Sequence, residues 1–194
     1  MQTSKIKGTL LACSLALSGA AFAAPSGDML GNTCAGCHGT NGNSVGPASP
    51  TLAGMDQEIF IDAMKAYRDD SRASTIMGRL AKGYTDEEYA AMAEYFNKQK
   101  FAAADQPADE ALAKKGAKLH DKYCEKCHED GGRSAADGGI LAGQWMPYLA
   151  YSMEDFMAGT REMPKKMKQQ VEKMNKAVGA DAAAQLLNFY ASQK

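Results

Sequence analysis

The stretch Cys34-Ala35-Gly36-Cys37-His38 and its second copy, Cys124-Glu125-Lys126-Cys127-His128, constrain this 194-residue chain more than any other feature. Two cysteines three positions apart, with histidine directly after the second, form the pattern by which both thiols add across the vinyl groups of a porphyrin. The spacing has a physical basis: positions i and i+3 of one helical turn share a face, so both sulfurs reach one macrocycle edge. The histidine that follows is presented to the iron as proximal ligand, and the opposite axial position is filled from elsewhere in the fold. Two covalently attached heme c groups are therefore expected, on Cys34 and Cys37 with His38, and on Cys124 and Cys127 with His128.

Residues 1–23 read as a secretory signal peptide. Lys5 and Lys7 precede an apolar run from Leu10 to Ala21, and Ala21-Phe22-Ala23 suits cleavage after Ala23. The run falls short of the roughly 20 residues of a spanning helix, and no later stretch is long enough. A periplasmic protein without a membrane span is expected. Leu10-Leu11-Ala12-Cys13 offers a weaker lipoprotein reading. Cleavage removes Cys13 and leaves four cysteines, all within the two motifs. A disulfide pair, a redox dithiol and half a zinc site are the other readings of Cys-x-x-Cys. Histidine after both copies, behind an export signal, favours heme over these.

Taking 23 residues from 194 leaves 171, enough for two small domains. Neither would bury a large core unaided, and a tethered apolar macrocycle supplies the missing surface. The two lysines of the leader leave 20 basic against 23 acidic residues, a balance of −3. That balance gives no reason to expect nucleic acid or an anionic membrane surface as partner.

Landmarks recur after each motif, the signature of a duplicated unit. Leu52-Ala53-Gly54 begins 18 residues after Cys34, and Leu141-Ala142-Gly143 begins 17 after Cys124; Tyr67 and Phe156 each follow their leucine by 15. Tyr95-Phe96 and Phe189-Tyr190 close the two halves. Helices are expected over Ser26–Cys34, over Gln57–Asp69 behind an Asp56 cap, and over 85–99 behind a Thr85/Glu88 capping box. In the second half they are expected over Glu110–Tyr123, Pro147–Phe156, Met167–Val178 and Asp181–Gln193. No strand pattern competes. The chain divides into residues 24–100, a linker at 101–109 within the polar, proline-containing segment Asn97–Asp109, and residues 110–194. The implied architecture is all-α, two heme domains in tandem.

Methionine thioether favours ferrous iron and raises the potential, which suits an electron carrier. Any one of the chain's 12 methionines is by default core filler. The repeat selects among them: 43 residues separate Cys34 from Met77, and 43 separate Cys124 from Met167. Met163 lies four residues short of that register and is the alternative. His120, the histidine outside the motifs, sits on the proximal approach to Cys124 and reads as an ordinary helix residue rather than a distal ligand. With both distal positions filled, electron transfer is favoured over catalysis at the heme. Lys165, Lys166, Lys168, Lys173 and Lys176 suit either a solvated helix face or a docking site for an acidic partner.

The segments CAGCHGTNGNSVGPASP (34–50), ASTIMGRLAKGY (73–84), GAKLHDKYCEKCH (116–128) and ILAGQWMPYL (140–149) resemble the diheme cytochrome subunit of flavocytochrome c sulfide dehydrogenase. The likeness runs over nearly the whole mature chain and extends, more broadly, to two-domain bacterial diheme cytochromes c. It implies two class-I-type cytochrome c domains with hemes close across a domain interface. It also implies a heterodimer in which a separate flavoprotein subunit, carrying FAD, oxidises sulfide and passes electrons to this chain for a downstream acceptor. Met77 falls on the family's first-domain ligand motif. Pro50 matches the proline whose carbonyl holds the proximal histidine ring, and Gly139 stands at that place in the second half. No Gly-rich dinucleotide fingerprint is present here, so the flavin is expected on the partner alone. A flavin-independent periplasmic diheme carrier serving a terminal oxidase or reductase is the alternative.

Overall fold

Ser26 starts the first helix through its hydroxyl, which accepts from the Met29 N–H at 3.3 Å and caps α1 (Gly27–Thr33). The computed structural model describes residues 24–136 and 138–194, so the expected signal peptide lies outside the described residues. After the short α2 (Ala35–His38), the Asp56 carboxylate accepts from the N–H groups of Glu58 and Ile59 and opens α3 (Gln57–Arg68). Next comes α4 (Met77–Ala81), a helix too short for periodicity to reveal; the expected reciprocal Thr85/Glu88 box then opens α5 (Asp86–Asn97). The second half runs through α6 (Glu110–Tyr123), capped by Asp109, α7 (Glu129–Gly132), α8 (Met146–Ala158) with Pro147 in its first turn, α9 (Lys165–Val178) and α10 (Asp181–Ser192). The described residues form no strand, and no helix among them is long and apolar enough to cross a membrane.

In each half the helix that leads into the cysteine motif crosses the last helix of that half at backbone contact. A Cβ on Gly27 would lie 2.5 Å from the Ala91 carbonyl oxygen, and one on Gly116 would lie 2.0 Å from that of Gln185. Glycine is thus required where α1 meets α5 and where α6 meets α10. The first core gathers Leu30, Phe60, Met64, Tyr89, Met92 and Phe96; the second gathers Leu149, Met174, Ala182, Leu186 and Tyr190. Burying one such large side chain contributes about 1.5–3 kcal/mol.

The duplication extends to single hydrogen bonds. The Gly42 carbonyl accepts from the N–H groups of Leu52 and Ala53 at 2.7 and 3.2 Å, and the Gly132 carbonyl accepts from those of Leu141 and Ala142 at 2.8 and 2.9 Å. Gly54 donates to the Phe96 carbonyl and Gly143 to that of Tyr190, both at 2.8 Å. Phe96 and Tyr190 are therefore equivalent positions of the two halves.

Residues 98–109, between α5 and α6, are irregular but anchored. The Asn43 side chain donates to the Lys100 carbonyl at 3.0 Å and accepts from the Ala102 N–H at 2.8 Å, tying the segment to the first half. Ala104 donates to the Gly143 carbonyl at 2.8 Å, and the Gln106 amide bonds the Gln144 carbonyl and the Met146 N–H, each at 2.8 Å, tying it to the second.

Candidate functional site

The Cys34 carbonyl accepts from the N–H groups of Cys37 and His38 at 3.2 and 2.9 Å, and the Cys124 carbonyl accepts from those of Cys127 and His128 at 3.1 and 2.9 Å. These turns bring each pair of cysteines together with its histidine. All four thiols are unbridged; Cys34 and Cys124 are half-buried and Cys37 and Cys127 exposed. Burial raises the Cys34 thiol against the opposing Thr33 hydroxyl, and burial pushes Cys124 up to about 11. Two thiols and the histidine that follows them, gathered on one turn, are a donor set that fits covalent heme.

His38 is buried, with Nδ1 2.8 Å from the Pro50 carbonyl oxygen. A carbonyl only accepts, so Nδ1 carries the proton and Nε2 presents the lone pair suited to iron. Burial, partly offset by that bond, lowers the imidazole below its ordinary value and keeps it neutral at pH 7. In the second half the His128 ring lies against Gly138, where a Cβ would stand 2.1 Å from Cε1. The residue pressed to that ring is thus Gly138; its neighbour Gly139, the expected counterpart of Pro50, takes a left-handed backbone with φ +74.

The two distal candidates are placed differently. Met77 is the first residue of α4 and packs at the edge of the first core with Cys34, Tyr67 and Tyr84. Met167 lies half-buried in the first turn of α9, and Met163 lies half-buried directly before Pro164. Neither belongs to the second core cluster. His120 has both ring nitrogens engaged within the protein: Nδ1 lies 2.9 Å from the Tyr190 hydroxyl and Nε2 lies 2.6 Å from Glu125. The five lysines at 165, 166, 168, 173 and 176 are exposed on α9, opposite buried Val171 and Met174.

Sequence reasoning missed Gln144. Its side chain is 4% exposed and reaches into the first half, accepting from the Thr51 N–H at 2.9 Å and donating to the Thr51 carbonyl at 3.0 Å. Thr51 follows Pro50, so a residue of the second half grips the loop that orients His38. The Trp145 indole N–H adds a bond to the Ser44 carbonyl at 3.1 Å. The only signal available was a glutamine within an otherwise apolar Leu-Ala-Gly landmark, where the first half has Met55.

The cytochrome c family profile matches residues 27–100. Cytochrome c4 of Pseudomonas aeruginosa is 32% identical over 164 residues, covering 78% of this chain and 81% of that protein. The cytochrome subunit of sulfide dehydrogenase from Chlorobaculum tepidum is 49% identical, but over 70 residues, 36% of this chain and 63% of that protein. The sulfide dehydrogenase likeness expected over nearly the whole mature chain is thus confined to part of it, and over its full length the chain is nearer to cytochrome c4. The Acidithiobacillus ferrooxidans cytochrome c4 structure superposes with TM-score 0.67 at 30% identity, covering 81% of this chain and 99% of that one. That of Pseudomonas stutzeri cytochrome c4, at 24% identity, shares the fold with TM-score 0.72 over 88% of this chain and 100% of that one. Repeated Cys-x-x-Cys-His turns on twin helical units, with these relatives, show that the chain belongs to the cytochrome c family as a two-domain, cytochrome c4-like electron-transfer protein.

Proposed function

We propose that this chain is a periplasmic diheme electron-transfer subunit that accepts electrons from a flavoprotein sulfide dehydrogenase subunit carrying FAD and passes them to a downstream acceptor. The 49% identity over 70 residues to a sulfide dehydrogenase cytochrome subunit carries this reading. Heme supplies one-electron iron chemistry when bound. Cys34 and Cys37 tether one group and Cys124 and Cys127 the other; His38 and His128 ligate the irons. Met77 would take the first distal position, and its half-buried place against the first core supports that role. Met167 takes the second. Four residues on from Met77 is buried Ala81, and four on from Met167 is buried Val171, whereas four on from Met163 is half-buried Met167. Pro50 fixes the His38 tautomer through Nδ1, and an apolar cluster in each half would shield a bound macrocycle from water.

The second reading, a flavin-independent periplasmic carrier, draws on the 78% coverage of this chain by cytochrome c4 of Pseudomonas aeruginosa. Purification of the untagged native protein separates the two. Co-elution of a flavin-bearing chain and sulfide-dependent heme reduction support the subunit reading. A flavin-free fraction that no added flavoprotein can reduce with sulfide overturns it. Met77→Ala and Met167→Ala each open one axial site per chain to exogenous imidazole; if Met163→Ala opens that site and Met167→Ala does not, the second assignment moves to Met163.

A further inference from the structure

The second half holds an open apolar cavity of about 370 Å³ between α8, α9 and α10, walled by Met153, Met157, Val171, Met174, Asn175 and Ala183. In the first half the matching place is filled by Tyr89. Tyr89 lies seven residues before Phe96, and Ala183 lies seven before the equivalent Tyr190; Asp86 and Ala180, the latter also in the cavity wall, lie ten before. Tyr67 and Phe156, equivalent positions of the repeat, align the facing helices. Met64 and Met153 stand three residues before them, Arg68 and Met157 one after.

In the first half these positions interlock. Tyr89 is fully buried, and its hydroxyl donates to the Ala81 carbonyl at 2.6 Å. The Arg68 guanidinium carbon lies 5.5 Å from the centre of the Tyr89 ring, over its face, and Arg68 pairs with Asp86. In the second half Ala183, Met157 and Ala180 replace the ring, the guanidinium and the carboxylate. The space has not closed over: Met174 is 2% exposed, but Met157 stands 57% exposed at the mouth. An unfilled apolar cavity lowers stability, the more so the larger it is, and a guest recovers part of that loss. A dry cavity of roughly 150 Å³ already holds benzene. Thioether sulfurs make favourable contacts with aromatic rings, whereas a lone metal ion on three thioethers would leave most of this volume empty. None of the described residues that line the cavity is charged. Asn175 supplies a polar side chain, and its amide makes no hydrogen bond to another described residue.

We propose that this cavity binds a small neutral aromatic molecule of the phenol class. The guest's ring takes the place that the Tyr89 ring fills in the first half, between the thioethers of Met153, Met157 and Met174, and its hydroxyl bonds the Asn175 amide. Ligand binding of this kind goes beyond electron transfer and stands whichever donor or acceptor the chain serves. Val171 lies one helical turn from Met167 on α9, so an occupied cavity braces the helix that carries the proposed second distal ligand. The tyrosine side chain of another protein has the same chemistry and is separated by the test.

Titration of the reduced holoprotein with phenol, read from isotope-labelled methionine methyl groups by NMR, tests the assignment. Phenol should saturate a single site with a Kd on the order of 1 mM, the range open to so small a guest. The methyl signals of Met153, Met157 and Met174 should move, while that of Met64, the first half's counterpart of Met153, stays fixed. Cyclohexanol, which has the hydroxyl but no aromatic face, should bind about threefold more weakly. Asn175→Ala should weaken phenol about fivefold through the lost hydrogen bond. Ala183→Tyr, which restores the first half's residue, should abolish the shifts, and Ala183→Leu fills the same space should the tyrosine variant not fold. No saturable shift by about 10 mM phenol overturns the proposal. So does equal binding of cyclohexanol, or undiminished binding by a folded Ala183 variant. Blocked tyrosine amide binding more tightly than phenol assigns the cavity to a protein side chain and overturns the small-molecule reading. Saturation of the three methyl signals by silver ion without any response to phenol assigns the thioethers to a soft metal and likewise overturns it.

Discussion

Replacing Gln144 with alanine should destabilise the protein by about 3 kcal/mol. Its amide makes two hydrogen bonds to Thr51, at 2.9 and 3.0 Å, and Thr51 is 3% exposed. Truncation strands a buried N–H and a buried carbonyl at about 1–3 kcal/mol each; the lower half of that range applies because the vacated volume can admit water. For a chain of this length, 3 kcal/mol lowers the thermal midpoint by roughly 6–12 °C. Gln144→Met is the sharper variant, since methionine keeps the volume and is the first half's own residue at this position, Met55. It should cost nearly as much as alanine, because the loss lies in the hydrogen bonds. Denaturant unfolding of the holoprotein, with unchanged slope, gives the stability term. Hyperfine-shifted proton resonances of the ferric protein give the local one, and the first heme's signals should move while the second's stay. A midpoint within 2 °C of wild type, or equal movement of both sets of resonances, would refute the claim that Gln144 acts through the Pro50–Thr51 loop.

Gly116→Ala and Gly27→Ala should each lower stability by about 2 kcal/mol or more in denaturant titrations, although alanine is the better helix former by about 1 kcal/mol. The added methyl would sit 2.0 Å from the Gln185 oxygen or 2.5 Å from that of Ala91, and neutral variants would show that these crossings can relax. The Glu125 carboxyl is held below its usual range first by the His120 hydrogen bond, then by the N–H groups of Gly131 and Asp130. A depressed folded-state value adds stability above the ordinary carboxylate range and loses it as pH falls through the folded value. The midpoint difference between wild type and Glu125→Gln should thus be full at pH 6 and shrink as pH falls below the ordinary carboxylate range; a pH-independent difference refutes the linkage.

The second half's helix α6 and the cap at Asp56 were legible because hydrophobic spacing and short polar caps are local signals, and the boundaries of α3 fell within one residue. The duplicated motif marked Cys34, Cys37 and His38 and their counterparts Cys124, Cys127 and His128, which the structure gathers on equivalent turns. The five-residue α4 was not legible, since it spans little more than one turn. Nor was the close approach of Gly138 to the His128 ring, which no local pattern marks. Gln144 with Thr51 and Trp145 with Ser44 are pairings across 93 and 101 residues of sequence. No local pattern encodes which side chain will face which once two domains close on each other.

The irregular connector at residues 98–109 is bonded to Asn43 on one side and to Gly143, Gln144 and Met146 on the other. It is a strap rather than a hinge, and that has a kinetic meaning. Exchange of an electron between the two halves becomes a first-order event whose distance is set when the chain folds. Its rate should be independent of protein concentration, insensitive to solvent viscosity, and unchanged by a single proteolytic cut between Ala102 and Ala104, since both cut ends stay bonded where they lie.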